Sequence, residues 1–280
     1  MVSAMIPLAV LVTVLGLGAA EVTLPSYYFD GMVFQGDQGD TLIWGFTDNL
    51  DVEVLVEVAC NGQKTLLRAD PSGFKKASRK ADGDIWEVTY PVSKANGDEC
   101  AITVQQETSI FTWSVIFGDV WFCSGQSNMN WNMNQIFDAE EEVANSAGYT
   151  NIRMFDVTTQ QSDLEEDDLV GGHWDGWYTP DNAAQLKKFS AVCFLFARSM
   201  TDRLSPAGER KRVFGLIASD WGGTRVEAWM SRDALDACNV PPNNDGSQNS
   251  DQVLWNAMVH PFLRHNIYGG LWYQGNGRVR

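Results

Sequence analysis

The sequence is poor in basic residues and in histidine. Its 280 residues include 20 lysines and arginines against 36 aspartates and glutamates, and only three histidines, so the formal net charge is -16 at pH 7. A negative field of this size repels phosphate backbones and anionic membrane surfaces, and we therefore expect no nucleic-acid partner. The histidines and the five cysteines show none of the spacings typical of metal ligands, which predicts that no metal is bound.

Long hydrophobic runs are also scarce, and the one that is present lies at the N-terminus. Residues 1–20 carry no charge and end in Gly18, Ala19 and Ala20 just before Glu21, a pattern typical of a cleaved signal peptide. No lysine or arginine precedes the apolar run, so an uncleaved membrane anchor and a buried core helix are the alternatives. No second stretch is long enough to span a bilayer. We therefore expect a mature chain in an oxidising compartment, without stable membrane insertion.

All five cysteines follow residue 20, and their number is odd, so at least one thiol is free or pairs between chains. Cys60 and Cys100 flank predicted strands of the N-terminal half, and we predict that they form a disulfide. Cys123 lies inside a predicted strand of the second half, where we expect a buried free thiol.

Hydrophobic and polar residues alternate between residue 22 and about residue 112. A period of two is typical of half-buried strands. The predicted strands cover residues 41–44, 52–58, 85–90 and 101–105. Turn-forming pairs separate them, namely Asn61 with Gly62, Asp82 with Gly83, and Asn96 with Gly97. We predict a small β-sandwich-like domain over residues 21–112.

Beyond residue 112, short apolar runs alternate with helical segments, as in an α/β layer with a mostly parallel sheet. The predicted strands cover residues 120–123, 152–157, 213–218 and 267–273. The predicted helices cover residues 136–147 and 191–204, and the second is capped by Ser190 and stopped by Pro206. We predict a second domain over residues 113–280.

Two stretches of the second half show neither the two-residue period of a strand nor the pattern of a helix. Residues 160–179 are acidic and contain tryptophan, and residues 241–250 are rich in proline, asparagine, glycine and serine. Both are interpreted as solvated loops, with the lining of a cleft as the alternative.

Three predicted strands of the second half end in glycine-rich or polar turns. Ser127 follows the first strand, Gly222 and Gly223 follow the second, and Gln274 follows the third. The carboxyl ends of parallel strands meet at one edge of a sheet, where α/β active sites form. A serine at such an edge, with backbone N–H groups from the turns and from a helix starting after Ser127, fits an oxyanion-stabilised acyl transfer site. A purely structural turn is the alternative.

Several motifs resemble those of the sialate O-acetylesterases, which belong to the SGNH-type serine esterases. The resemblance extends from about residue 31 to residue 275 and is carried by GMVFQG, FGDVWFCSGQSNM, FSAVCFLFAR, DWGGTRVEAW, LWNAMVHPF and GGLWYQG. It implies an incomplete three-layer SGNH hydrolase-like (flavodoxin-like) α/β domain, preceded by the β-sandwich-like domain. It also implies a secreted or lysosomal hydrolase without a cofactor, acting on O-acetylated sialic acid or a related acetylated sugar.

Matched by position, the resemblance also assigns roles in catalysis. It implies that Ser127 is the nucleophile and that its own N–H faces the oxyanion. Gly222 is the expected second oxyanion donor, with Gly223 as the adjacent alternative. Gln274 is the expected third donor, although the family continues its motif with Glu where this chain has Asn276.

Two further residues are assigned to substrate binding. Asn128 follows the nucleophile and offers an amide for local hydrogen bonds. Arg225, beside the glycine turn, is the nearest cation for the carboxylate of a sialic acid, and a structural ion pair with Glu227 or Asp220 is the alternative.

The family carries its general base in an Asp-x-x-His segment downstream of these motifs, and the 280 residues do not include one. His173, His260 and His265 do not fit that spacing, so we expect each of them to be structural or solvated. A serine hydroxyl is a weak nucleophile without an adjacent base, so we expect little esterase activity from this polypeptide alone. A truncated, inactive or glycan-binding product and a general carbohydrate acetylesterase are the alternatives.

Overall fold

The structure is a computed structural model. It describes residues 22–36, 39–77, 83–91, 97–171, 175–204 and 212–275. The predicted signal peptide, His173 and Asn276 lie outside these ranges, as do Asp82, Asn96 and Pro206. Across the part of the chain that is described, no helix combines the length and the hydrophobicity needed to cross a bilayer.

The described residues form twelve strands and four α-helices. The strands are β1 (Val22–Thr23), β2 (Met32–Gln35), β3 (Thr41–Thr47), β4 (Val54–Cys60), β5 (Gln63–Ala69), β6 (Lys75–Lys76), β7 (Asp84–Tyr90), β8 (Glu99–Gln106), β9 (Ser109–Gly125), β10 (Ile152–Asp156), β11 (Phe214–Asp220) and β12 (Gly269–Tyr273). The helices are α1 (Ala139–Ser146), α2 (Ala183–Leu186), α3 (Ala191–Leu204) and α4 (Arg232–Ala237).

The N-terminal half is a β-sandwich, as predicted. One sheet has the order β1-β3-β7-β6, and the other includes β5, β4, β8, the first half of β9 and β2. Alternate residues of β4 face the core, where Val54, Val56 and Val58 are buried. Trp44 of β3 and Trp86 of β7 lie on opposite faces of the first sheet, and both are fully buried. This alternation is why the period of two predicted these strands correctly.

The second half contains a parallel sheet in the order β10-β11-β9-β12, which confirms the α/β prediction. Every residue of β11 is buried, as expected for a strand that is covered on both faces. Leu216 belongs to a core cluster with Phe194 of α3. Ile217, its neighbour in sequence, belongs to another cluster with Leu254 and Met258. The parallel sheet is therefore the middle of three layers, with α3 on one face and residues 254–258 on the other.

The strand β9 belongs to both halves. Its first part pairs antiparallel with β8 and parallel with β2, and its last seven residues pair parallel with β11. The boundary predicted between residues 112 and 113 falls inside this 17-residue strand. The carboxyl end of β9 therefore lies at the centre of the parallel sheet.

Two disulfides are present among the described residues. Cys60 and Cys100 are bonded, with Cα atoms 4.4 Å apart, which confirms the predicted pair. The prediction of a free thiol at Cys123 is wrong, because Cys123 is bonded to Cys193 of α3. Both sulfurs of that pair are buried beneath the parallel sheet. Cys238 is exposed and free.

The irregular segment 160–179 is more than a solvated loop, contrary to the favoured interpretation. Glu166 and Asp167 are buried, and Asp167 forms an ion pair with Arg264 at 2.7 Å. Trp177 Nε1 donates to the carbonyl of Tyr27 in the N-terminal half. The described residues of this segment thus help to hold the two halves together.

The buried imidazole of His265 generates a prediction for stability. It packs against the rings of Tyr27 and Phe34, and burial lowers its pKa to about 4. The unfolded chain takes up a proton below about pH 6.5, whereas the folded chain does so only near pH 4. The free energy of unfolding should therefore fall by about 2 kcal/mol more between pH 7 and pH 5 in the parent than in His265→Leu.

Urea denaturation at both pH values measures this difference. An equal loss in the parent and in His265→Leu would contradict a neutral, buried His265.

Candidate active site

Ser127 lies in the turn that follows β9, as predicted. The last residue of β9, Gly125, has a φ of 141°, and a Cβ at this position would lie 2.3 Å from the carbonyl oxygen of Tyr273. Only glycine allows β12 to approach so closely. The helix start expected directly after Ser127 is absent, because residues 127–129 form a turn. Ser127 is exposed, and Asn128 beside it is half-buried.

The glycine turn after β11 lies against Ser127. The N–H of Trp221 donates to the carbonyl of Gly125 at 3.2 Å, which ties this turn to the end of β9. A Cβ placed on Gly222 would lie 3.5 Å from Ser127 Oγ. The absence of a side chain at Gly222 therefore leaves room beside the hydroxyl.

The buried side chain of Gln126 connects the two turns. Its Oε1 accepts a hydrogen bond from Ser127 Oγ at 2.9 Å and another from the N–H of Gly223 at 3.2 Å. The N–H groups of Ser127 and Gly222 donate to no described residue. They remain available for an oxyanion, whereas the N–H of Gly223 is occupied. The geometry favours Gly222 over Gly223 as a donor, and both roles stay predictions.

The third strand end completes the arrangement. Gln274 follows β12, and its Nε2 donates to the carbonyl of Thr224 in the glycine turn at 3.1 Å. The N–H of Gln126 donates to the carbonyl of Tyr273 at 3.2 Å. The three predicted strand ends are thus brought together and bonded to one another. The amide of Gln274 holds the glycine turn in place, and its oxyanion role stays a prediction.

Arg225 forms a structural ion pair. Its guanidinium lies 3.2 Å from the carboxylate of Glu227, one of the two partners considered above. The N–H of Arg225 donates to Asn249 Oδ1, and Asn249 Nδ2 donates to the carbonyl of Gly223. Part of the irregular segment 241–250 therefore supports the glycine turn.

Sequence reasoning missed two carboxylates and an amide at the same sheet edge. Asp156 ends β10 and Asp220 ends β11, and Asn130 Nδ2 donates to Asp220 Oδ1 at 2.7 Å. Burial raises the pKa of Asp220 to about 6. Asp156 keeps part of its surface exposed, but desolvation and the charges of Asp220 and Asp175 raise its pKa to about 7. The strand-end rule that selected Ser127 applies equally to both carboxylates.

The described histidines contact other parts of the fold. His260 Nδ1 lies 2.7 Å from the carbonyl of Glu166, and His265 is enclosed by aromatic rings. The Ser127 hydroxyl donates to Gln126 instead. Within the described ranges, no three histidine, cysteine, aspartate or glutamate side chains are arranged to hold a metal ion.

Known proteins are similar to this chain in sequence and in fold. The human sialate O-acetylesterase (Homo sapiens) is 37% identical over 269 residues, an alignment that covers 91% of this chain and 48% of that protein. The mouse sialate O-acetylesterase (Mus musculus) is 33% identical over 296 residues, with 91% and 52% covered. A carbohydrate acetylesterase of known structure from Xanthomonas citri superposes with a TM-score of 0.73 at 28% identity, covering 91% of this chain and 52% of that one.

The three-layer arrangement around the parallel sheet and the serine turn at the strand end define an SGNH hydrolase-like (flavodoxin-like) α/β fold. No model of a known protein family matches the chain. The relatives carry the comparison, because over 91% of its length the chain is similar to the sialate O-acetylesterases. It spans about half the length of the curated relatives it matches.

The buried carboxyl of Asp220 leads to a prediction for stability. The folded state retains its proton up to about pH 6, whereas the unfolded chain loses it near pH 4, so ionisation of Asp220 opposes folding as the pH rises. Asp220→Asn keeps an oxygen for Asn130 and removes the charge. We expect the free energy of unfolding to rise by about 1 to 3 kcal/mol at pH 8 and to be nearly unchanged at pH 4.

Chemical denaturation at the two pH values checks this expectation. A gain of the same size at pH 4 would show that the charge of Asp220 is not the cause.

The disulfide between Cys123 and Cys193 anchors α3 to the strand that carries Ser127. It closes a loop across 70 residues, so replacing both cysteines with serine should lower the free energy of unfolding by about 2 to 4 kcal/mol. Cys238→Ser is the matched control, because its thiol is exposed, and a change below about 0.5 kcal/mol is expected there. Urea denaturation measures both, and equal stabilities would contradict the anchoring role.

Proposed function

We propose that the protein containing this chain hydrolyses acetyl esters on carbohydrates, with Ser127 as the nucleophile. The observation that carries the proposal is the approach of Gly222 to Ser127, with unbonded N–H groups on both residues. The finer proposal is that the acetyl group is borne by a sialic acid. The names of the human and mouse relatives support the sialic acid, and the Xanthomonas citri structure supports the broader class of sugar.

The proposed reaction has two steps. Ser127 Oγ loses its proton to a base and bonds to the acetyl carbon, whose carbonyl oxygen becomes an oxyanion. The N–H groups of Ser127 and Gly222 stabilise that oxyanion, and Gln274 is the proposed third donor. The bond to the sugar oxygen then breaks, and the sugar leaves with the proton as a free hydroxyl. Water attacks the acetyl-serine in the same way, which releases acetate and restores Ser127.

The general base is proposed to be a histidine in an Asp-x-x-His segment, as the family resemblance implies. The contacts of Ser127 support this assignment, because its hydroxyl meets Gln126 and no described histidine. Gln126 accepts a hydrogen bond but is not a base. It orients the hydroxyl in the absence of the histidine.

We further propose that the protein is made with a signal peptide and is secreted or lysosomal. The uncharged residues 1–20 support this location, and so do two disulfides within the described residues, because disulfides persist in oxidising compartments. No stable insertion into a membrane is proposed after cleavage of the signal peptide.

Catalysis by Ser127 is tested by comparing the 280-residue polypeptide with a version extended by a relative's C-terminal half, which carries the Asp-x-x-His segment. We expect the extended protein to hydrolyse 4-nitrophenyl acetate and an O-acetylated sialic acid. Ser127→Ala should lower its turnover by roughly ten-thousandfold or more, since loss of a triad serine costs about a millionfold in one protease. The shorter polypeptide should stay near background.

Ser109→Ala, at the opposite end of β9, is the matched control and should leave turnover unchanged. Equal turnover of the extended protein and its Ser127→Ala variant would refute the proposal. Ser127-dependent turnover by the shorter polypeptide would refute the assignment of the base.

A further inference from the structure

A polar cavity opens beside Ser127, at the carboxyl ends of β10 and β11. Its volume is about 330 Å³, and we call it the strand-end cavity. The side chains that matter here are those of Asn130, Asp156, Asp175, Lys188 and Asp220, all of which line it. Asn130 closes the nucleophile turn, because its N–H donates to the carbonyl of Gln126, and the other four residues lie outside both the nucleophile turn and the glycine turn.

The strand-end cavity lies near the position proposed for the ester, because Asn130 both lines the cavity and lies beside Gly222. A Cβ on Gly222 would lie 3.5 Å from Ser127 Oγ and 3.9 Å from Asn130 Oδ1, so the amide of Asn130 stands across a small gap from the hydroxyl. The other end of that amide donates to Asp220. A sugar whose acetyl group reaches Ser127 therefore has its neighbouring atoms next to this cavity.

Two polar groups of the cavity have unused hydrogen-bonding capacity. Asp220 is only 8% exposed, and one of its carboxylate oxygens accepts from Asn130, but the other accepts no hydrogen bond from a described residue. The carboxylate oxygen that Asn130 leaves unused can therefore accept a hydrogen bond from a ligand in the cavity that Asp220 lines. Lys188 is exposed and forms no ion pair within the described ranges. Its positive charge partly offsets the rise in the pKa of Asp156.

The chemistry of this lining selects the ligand. Above about pH 7, where Asp156 and Asp220 are ionised along with Asp175, the three aspartates repel an anion, so the cavity does not suit the carboxylate of an acidic sugar. Neighbouring hydroxyl groups fit, because each hydroxyl can donate to a carboxylate and accept from the ammonium group of Lys188 or the amide of Asn130.

We propose that the strand-end cavity binds a run of adjacent, uncharged hydroxyl groups of the sugar whose acetyl group is presented to Ser127, and that Asp220 and Lys188 determine this specificity. The inference rests on the proposed function, because it names the part of the same substrate that this cavity receives. On a sialic acid these hydroxyls belong either to the exocyclic chain or to the ring, and the carboxylate points away from the cavity.

Equilibrium binding to the 280-residue polypeptide tests the inference without requiring turnover. The probes are N-acetylneuraminic acid, its methyl ester, the acid with its exocyclic chain shortened by periodate, and methyl β-galactoside. Titration calorimetry or ligand-observed NMR gives each dissociation constant. The variants are Lys188→Ala, Asp220→Asn and the matched control Lys187→Ala, whose ammonium group is already paired with Glu140.

We expect the acid and its methyl ester to bind within about threefold of each other. Lys188→Ala should weaken both by about tenfold, as for the loss of one hydrogen bond to a charged group, and Lys187→Ala should have no effect. Asp220→Asn should weaken both as well. A tenfold loss on shortening the chain assigns the cavity to the exocyclic hydroxyls. The cavity is assigned to ring hydroxyls if the shortened acid binds as tightly as the full-length acid and the galactoside binds in a Lys188-dependent manner.

The inference is overturned if the acid binds tenfold more tightly than its ester in a Lys188-dependent manner, because the cavity then holds the carboxylate. It is also overturned if the two lysine variants behave alike, or if the folded polypeptide binds none of the probes at millimolar concentration. Lys188-dependent binding to the 280-residue polypeptide, together with a lack of Ser127-dependent hydrolysis by the extended protein, would refute the esterase proposal and leave the assignment of sugar hydroxyls to this cavity standing.

Discussion

The pairing register of β9 is the constraint on which the rest of the structure depends. Gly125, its last residue, stands opposite Asp220 of β11 on one side and Tyr273 of β12 on the other. This register brings the turns after β9, β11 and β12 together at the carboxyl edge of the sheet. Backbone hydrogen bonds donated by Gln126 and Trp221 hold these turns in contact. A slip by one residue would turn each side chain to the opposite face and separate Ser127 from Gly222.

Neutral hydrogen bonds hold the turns around Ser127, and charge is concentrated just beyond them. Gln126 joins the two turns without adding a charge, so the space beside Ser127 is shaped by an amide and by backbone groups. The carboxylates of Asp156 and Asp220 lie at the next strand ends, where burial raises the pKa of Asp220, and desolvation together with the charges of Asp220 and Asp175 raises the pKa of Asp156. This separation suits the proposed ester substrate, because the proposed oxyanion would form among N–H groups and away from negative side chains.

Much of the fold was predictable from the sequence, because periodicity records burial. The alternation in β4 and the continuous apolar run of β11 identified a sandwich strand and a central parallel strand. The continuity of β9 was not predictable, since its pattern changes where its neighbours change. The partner of Cys123 was also beyond reach, because Cys193 is 70 residues away and meets it only through packing. The contact between Asn130 and Asp220 was likewise not predictable, because it depends on the register in which β9 pairs with β11.

The shared strand β9 has a consequence for how such a protein can evolve. In many multidomain chains a flexible linker lets one unit be lost, duplicated or exchanged while the other persists. Here the sandwich ladder with β8 and the hydrolase ladder with β11 are successive parts of one strand. A recombination breakpoint between the two halves would cut through a paired strand. Exchange of either half alone would therefore leave part of β9 without its partner strand.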